Sequence, residues 1–174
     1  LRQVTNRKTT KVVGLIDNIV PHERRLGDTT LARYFAKSCD AFIVMSKAVG
    51  EELQGFITDQ NVGFAAHPIF DVYKDAVPSI QAKKELALDP DQSYLLFFGF
   101  IRAYKGLDLL IEAMAHEKVK SLGVKLIIAG EYYEDQEKYE SRIRALGLGD
   151  DIILHTKYIS NEEVHLYFCA ADLV

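Results

Sequence analysis

The sequence predicts an α/β protein built from doubly wound parallel sheets. Three observations carry that prediction. Short apolar runs of strand length alternate with segments of helical period along almost all of the 174 residues. The runs are continuously apolar, as strands covered on both faces must be. A strand–helix–strand succession requires right-handed crossovers, which leave neighbouring strands parallel. The alternation breaks over residues 67–79, bracketed by Pro68 and Pro78, and this stretch predicts a connection between two such units.

The elements follow in order. Residues 11–17 (KVVGLID) form a buried strand, and 18–27, with Pro21, His22 and Gly27, a loop. Asp28 or Thr29 caps a helix running to about Ser38, with Leu31, Tyr34, Phe35 and Ser38 on one face. Residues 40–45 (DAFIVM) are the next strand. Ser46 caps a helix over 47–56 that turns Val49, Leu53 and Phe56 inward, and 62–66 (VGFAA) closes the first half as a strand. Beyond the break a helix is expected over 80–88, a strand at 94–98 (YLLFF), a helix over 105–116 and a strand at 124–129 (VKLIIA). A helix over 134–146 is stopped by Gly147, which can adopt the left-handed conformation of a helix end. A strand at 151–155, a helix over 161–169 and a strand beginning at Asp172 complete the pattern.

Composition excludes several classes. An apolar share of 48% is too high for a disordered chain. No apolar run reaches the ~20 residues that span a bilayer. A net charge of −4 lacks the basic surface of a nucleic-acid binder. Cys39 and Cys169 lie far apart in apolar helical patterns, with no CxxC, and read as buried reduced thiols of a cytosolic protein. There is no HExxH, GxSxG, Walker or GxGxxG pattern, so neither a metal site nor a known nucleophile motif is indicated.

Ligands of such sheets bind beyond the carboxyl ends of the strands, so the loops there carry the chemistry. In 98–106 (FGFIRAYKG), Gly99 opens space at a strand end while Arg102 and Lys105 bring two cations to a helix start. They form an anion site suited to a diphosphate, or else are solvated loop charges. In 129–133, Gly130 again opens space, and Glu131 either accepts a hydrogen bond from a ligand or favours the following helix through its dipole. In 156–160, exposed backbone groups can read a flat base, or Lys157 and Tyr158 are ordinary loop residues; Ser160 or Asn161 caps the next helix, with Glu163 three residues after Ser160 in a capping-box pattern. The loop 17–25 crowds Asp17, Asn18, His22, Glu23 and two arginines into nine residues. Asp17 and Asn18 are also good turn formers, and His22 and Glu23 can be a surface pair.

The stretch YLLFFGFIRAYKGLDLLIEA over 94–113 resembles the opening of the nucleotide-sugar domain of retaining GT-B glycosyltransferases of family four (group 1). The likeness continues through LIIAGEYYED, RALGLGDDIILHTKYIS and NEEVHLYFCAADLV. The segment 15–53 resembles the end of the acceptor domain of that family, and AAHPIFDVY its interdomain connection. The resemblance implies two Rossmann-like domains. Residues 1–73 would be the C-terminal part of the acceptor domain, 74–79 a linker, and 80–174 the N-terminal part of the donor domain. It implies transfer of a sugar from a UDP- or GDP-sugar with retention, without an essential metal and with no cofactor beyond the nucleotide-sugar substrate. The acceptor would be a carbohydrate or a lipid-linked sugar, which allows contact with the inner face of a membrane.

Carried onto this chain, the resemblance makes Gly99, Arg102 and Lys105 the diphosphate site, with Arg102 and Lys105 steadying the leaving group. It places Gly130 and Glu131 in the donor pocket, Tyr158 at the base, and Asp17, Asn18 and His22 on the acceptor side. Many members have Arg where this chain has Phe100, and His where it has Asp17. The paired-glutamate block of the family is expected just after Val174, which makes the chain an internal fragment whose open half-sheets favour self-association. A GT-B sugar-nucleotide epimerase and a non-catalytic nucleotide-binding scaffold are the alternative functions.

Overall fold

The computed structural model describes residues 9–21, 23 and 25–174. The chain divides into two compact units between Ile69 and Phe70. No regular element occupies residues 65–78.

The first unit holds a parallel sheet, β1 (Val13–Ile16), β2 (Ala41–Val44) and β3 (Asn61–Phe64), in that spatial order. Two crossover helices, α1 (Asp28–Ser38) and α2 (Lys47–Leu53), connect the strands. One sheet face, with Ile16, Phe42 and Val44, packs on Ala32, Ala36, Cys39 and Leu53. Gly14 belongs to this face because a Cβ there would lie 2.9 Å from the Phe42 ring. The opposite face is open: Val13 is 54% exposed and Leu15 61%.

In α1 the face bearing Leu31, Tyr34 and Phe35 is exposed, and the buried stripe is Ala32 and Ala36. Small side chains at i and i+4 let the helix axis approach the Phe42 ring, which a Leu or Tyr stripe would hold off. One expectation for this helix needs correction, its cap. Asp28 does not serve as one. Gly27, at φ 99°, occupies that position, and the Asp28 carboxylate accepts a 2.6 Å bond from the Arg25 N–H instead. Ser46 does cap α2, accepting from the Val49 N–H at 3.1 Å. That helix ends at Leu53, short of the expected residue 56.

The second unit begins its regular structure with α3 (Ser79–Glu85) and contains the parallel sheet β4 (Tyr94–Phe98), β5 (Lys125–Ala129) and β6 (Ile152–His155). Helices α4 (Leu107–Ala115), α6 (Gln136–Ala145) and α7 (Asn161–Ala170), with the short α5 (Glu117–Lys120), complete it. Side-chain alternation feeds two cores. Tyr94, Leu96, Ile127 and Ala129 face α3 and α7, while Leu126, Ile128 and Ile152 face α4 and α6. Both faces of this sheet are therefore covered, and the fold class is α/β and doubly wound as expected.

The helix expected over 105–116 starts later than its pattern suggests. Residues Ala103–Lys105 form a 3-10 turn, Gly106 adopts a left-handed φ of 71°, and α4 starts only at Leu107. Lys105 thus precedes the helix rather than opening it. The pairing expected from Asp172 begins with a parallel bridge between Leu173 and Leu95. The Ser160–Glu163 capping box is present at the start of α7, and Gly147 follows α6 at φ 66°. Neither cysteine is in a disulfide, with Cys39 buried and Cys169 half-buried. Among the described residues no helix is long and apolar enough to cross a membrane.

Candidate functional site

The carboxyl ends of β4 and β5 meet at two glycines. Gly99 has φ 104° and Gly130 φ 135°, conformations that side chains disfavour. A Cβ on Gly130 would fall 2.2 Å from the Gly99 carbonyl oxygen, so the two backbones touch where any other residue would part them. The ladder then continues past the strand ends. The Ile101 N–H donates to the Glu131 carbonyl at 2.8 Å, and the Tyr133 N–H donates to the Ile101 carbonyl at 3.1 Å. The loops after β4 and β5 are therefore held side by side.

A cavity of about 260 Å³ opens over this junction. It is lined by Phe98, Gly99, Phe100 and Lys105 from β4 and the loop after it, by Gly130 and Glu131 after β5, and by Lys157, Tyr158, Ile159 and Asn161 between β6 and the start of α7. Tyr73 and Val164 complete the lining. The Lys105 side chain folds back so that Nζ stands 3.1 Å from where a Gly99 Cβ would be. The Lys157 N–H donates to the His155 carbonyl at 2.9 Å, a tight turn that leaves Tyr158 at the rim. Two lysines and one glutamate thus face one small space beside the positive end of α7. This arrangement can hold an anion and accept a hydrogen bond from a neighbouring hydroxyl.

Residues 79–174, more than half of the chain, match the family described as Glycosyl transferases group 1. The chain belongs to that family. Two D-inositol 3-phosphate glycosyltransferases are similar to this group 1 chain. The one from Segniliparus rotundus is 32% identical over 96 residues, covering 53% of the chain and 21% of the relative. The one from Pseudarthrobacter chlorophenolicus is 28% identical over 96 residues, covering 54% and 23%. The chain spans about a fifth of the length of these curated relatives. Among solved structures, HepE of Anabaena in complex with UDP and glucose aligns at TM-score 0.74 and 16% identity, over 94% of this chain and 45% of that one. Sucrose-phosphate synthase of Thermosynechococcus elongatus aligns at 0.74 and 18%, over 98% and 44%. WaaG, a glycosyltransferase involved in lipopolysaccharide biosynthesis, aligns at 0.68 and 19%, over 92% and 49%. The two three-stranded parallel sheets are of the GT-B type.

In this group 1 chain the cavity gathers Gly99, Lys105, Gly130, Glu131 and Tyr158 of the expected donor residues. Arg102 stands outside the lining, its guanidinium 4.8 Å from the centre of the Tyr133 ring. Asp17 and Asn18 are exposed beyond β1 in the first unit, and His22 lies outside the described residues. Sequence reasoning passed over Phe100 and Tyr73 as lining residues. Phe100 directly follows the first glycine, a signal that could have found it. Tyr73 sits in the aperiodic stretch, where no spacing marks it.

Behind the cavity, His155 Nδ1 and the Tyr167 hydroxyl are 2.9 Å apart, and burial, helped by Lys157, pushes the His155 pKa down. Burial raises the Tyr132 phenol to about 12, with Glu140 and Tyr139 adding to it. No three His, Cys, Asp or Glu side chains among the described residues lie close enough to hold a metal ion.

Proposed function

We propose that this chain handles the donor, and part of the acceptor side, in a glycosyltransferase that moves a sugar from a UDP- or GDP-sugar to a carbohydrate or lipid-linked acceptor. On this reading the transfer retains anomeric configuration and needs no essential metal or other cofactor. The observation that carries it is the Lys105 ammonium folded over Gly99 at the end of β4, in a cavity shared with Glu131 and Lys157.

The departing group in such a transfer is a nucleoside diphosphate, on which negative charge grows as the glycosidic bond breaks. Cations already in place stabilise that charge without reorganising. Lys105 serves the diphosphate directly, and Arg102, on the same loop, supplies a second cation with a planar fork matched to phosphate. Glu131 accepts from a donor-sugar hydroxyl. The backbone around Tyr158 borders the base. Gly99 and Gly130 give the phosphates access to the backbone. Asp17 and Asn18, beyond β1, serve the acceptor, as the family resemblance implies. The complexes of HepE with UDP and with UDP-glucose support a UDP-linked donor. A lipid-linked acceptor would bring a cytoplasmic enzyme to the membrane face by peripheral contact.

Titration with UDP and GDP tests this. Lys105→Ala is expected to weaken the tighter of the two by about tenfold or more, the scale of one charge-assisted hydrogen bond. An affinity equal to that of the parent chain would remove Lys105 from the diphosphate site.

A further inference from the structure

The loop that carries Arg102 and Lys105 is short and exposed, yet it is held from below at three points by one segment, residues 132–134. The first is backbone, the bridge between Ile101 and Tyr132. The second is the Glu134 carboxylate, which accepts a hydrogen bond from the Ala103 N–H at the start of the 3-10 turn. The same carboxylate accepts from the Tyr139 hydroxyl at 3.0 Å and from Lys138 at 3.5 Å. Tyr139 is 1% exposed and packed into the core, so Glu134 is anchored on something rigid. These bonds, the Ala103 N–H first, hold the Glu134 carboxyl below its ordinary value and keep it charged.

The third point is aromatic. The Tyr133 ring packs against Phe100 at 4.4 Å between centroids and lies under the Arg102 guanidinium at 4.8 Å. Tyr133 is 54% exposed and Phe100 47%, so this pair adds little to the core. What it does is hold a cationic side chain, and a guanidinium resting on a ring has less freedom to lose when a phosphate arrives.

We propose that Glu134 and Tyr133 are positioning residues for the diphosphate site. Glu134 sets the backbone turn that returns Lys105 over Gly99, and Tyr133 holds Arg102 at the rim. Neither need touch the ligand. This inference rests on the cavity being a diphosphate site.

The test uses the full chain with UDP, and uridine as the phosphate-free probe; GDP and guanosine form the parallel pair. The variants are Lys105→Ala, Glu134→Ala, Glu134→Gln, Tyr133→Leu and Tyr133→Phe. Glu134→Ala is expected to weaken UDP about fivefold and Tyr133→Leu about threefold, with uridine unchanged. Glu134→Gln keeps an acceptor oxygen and Tyr133→Phe keeps the ring, so both should bind UDP within about twofold of the parent chain. General loosening of the fold would weaken both probes and would not be rescued by the conservative variants, and that result overturns the proposal. If Lys105→Ala weakens UDP while Glu134→Ala and Tyr133→Leu do not, the clamp is wrong and the diphosphate site stands. If Lys105→Ala has no effect, or the parent chain binds neither diphosphate, the site and the clamp fall together.

Discussion

At the scale of single residues, His155 shows how burial near a charged rim becomes a pH dependence. Its ring stands edge-on to Tyr167 with Nδ1 2.9 Å from the hydroxyl, and burial disfavours its charged form. The folded-state value therefore lies below the unfolded one, near 6.5. Above the unfolded value both states are neutral and the histidine costs nothing. As pH falls through that value the unfolded chain takes up the proton first, and stability declines until the folded-state value is passed. Urea melts at pH 7.5 and pH 5.5 should show a loss on acidification that is smaller in His155→Gln. An identical loss in the two proteins would remove His155 as its source.

The elements show what the sequence disclosed and what it hid. The strand 94–98 is read to the residue, because a fully covered parallel strand is a continuous apolar run between turn signals. The Ser160–Glu163 box marks the start of α7 for an equally local reason. The same locality makes Gly99, Gly130 and Glu131 of the cavity lining legible, since each sits within two residues of a strand end. Glu134 and Ala103 are 31 residues apart in the chain, and no spacing rule foretells their hydrogen bond. The buried stripe of helix α1 is not legible from hydrophobicity, which ranks Leu and Tyr above Ala, whereas packing on Phe42 takes the small side chains of Ala32 and Ala36. That gives an asymmetric expectation for its two faces. Ala36→Leu should cost about 1–3 kcal/mol through overpacking. Leu31→Ala, on the exposed face, should stay within about 0.5 kcal/mol of the parent chain. Equal effects of the two in chemical denaturation would contradict the assignment of the buried stripe.

For the whole molecule, the two units differ in how their sheets are covered. In the second, both faces are packed by helices. In the first, Val13 and Leu15 on β1 and Ile43 on β2 share a face; the two β1 residues are more than half exposed and Ile43 about a third. Contiguous apolar surface of this kind is normally an interaction surface or a source of association. The chain, taken as it stands, is therefore expected to self-associate with rising concentration in light scattering coupled to size exclusion. Leu15→Lys, which places a charge in the middle of that face, should reduce the effect. A monomer at every concentration, before and after the substitution, would show that the face is tolerated in water.

The contact between Gly99 and Gly130 also bears on how this pocket can be altered. A side chain at 130 runs into the carbonyl oxygen of Gly99, and no substitution at 99 removes a carbonyl. At 99 the nearest obstacle is the far end of the Lys105 side chain, which can swing aside, although the positive φ still disfavours a larger residue. The two positions thus constrain a mutational path unequally. Position 130 is a dead end for any library that reshapes this cavity. Position 99 is negotiable only together with the lysine that folds over it, so those two belong in the same randomised codon set.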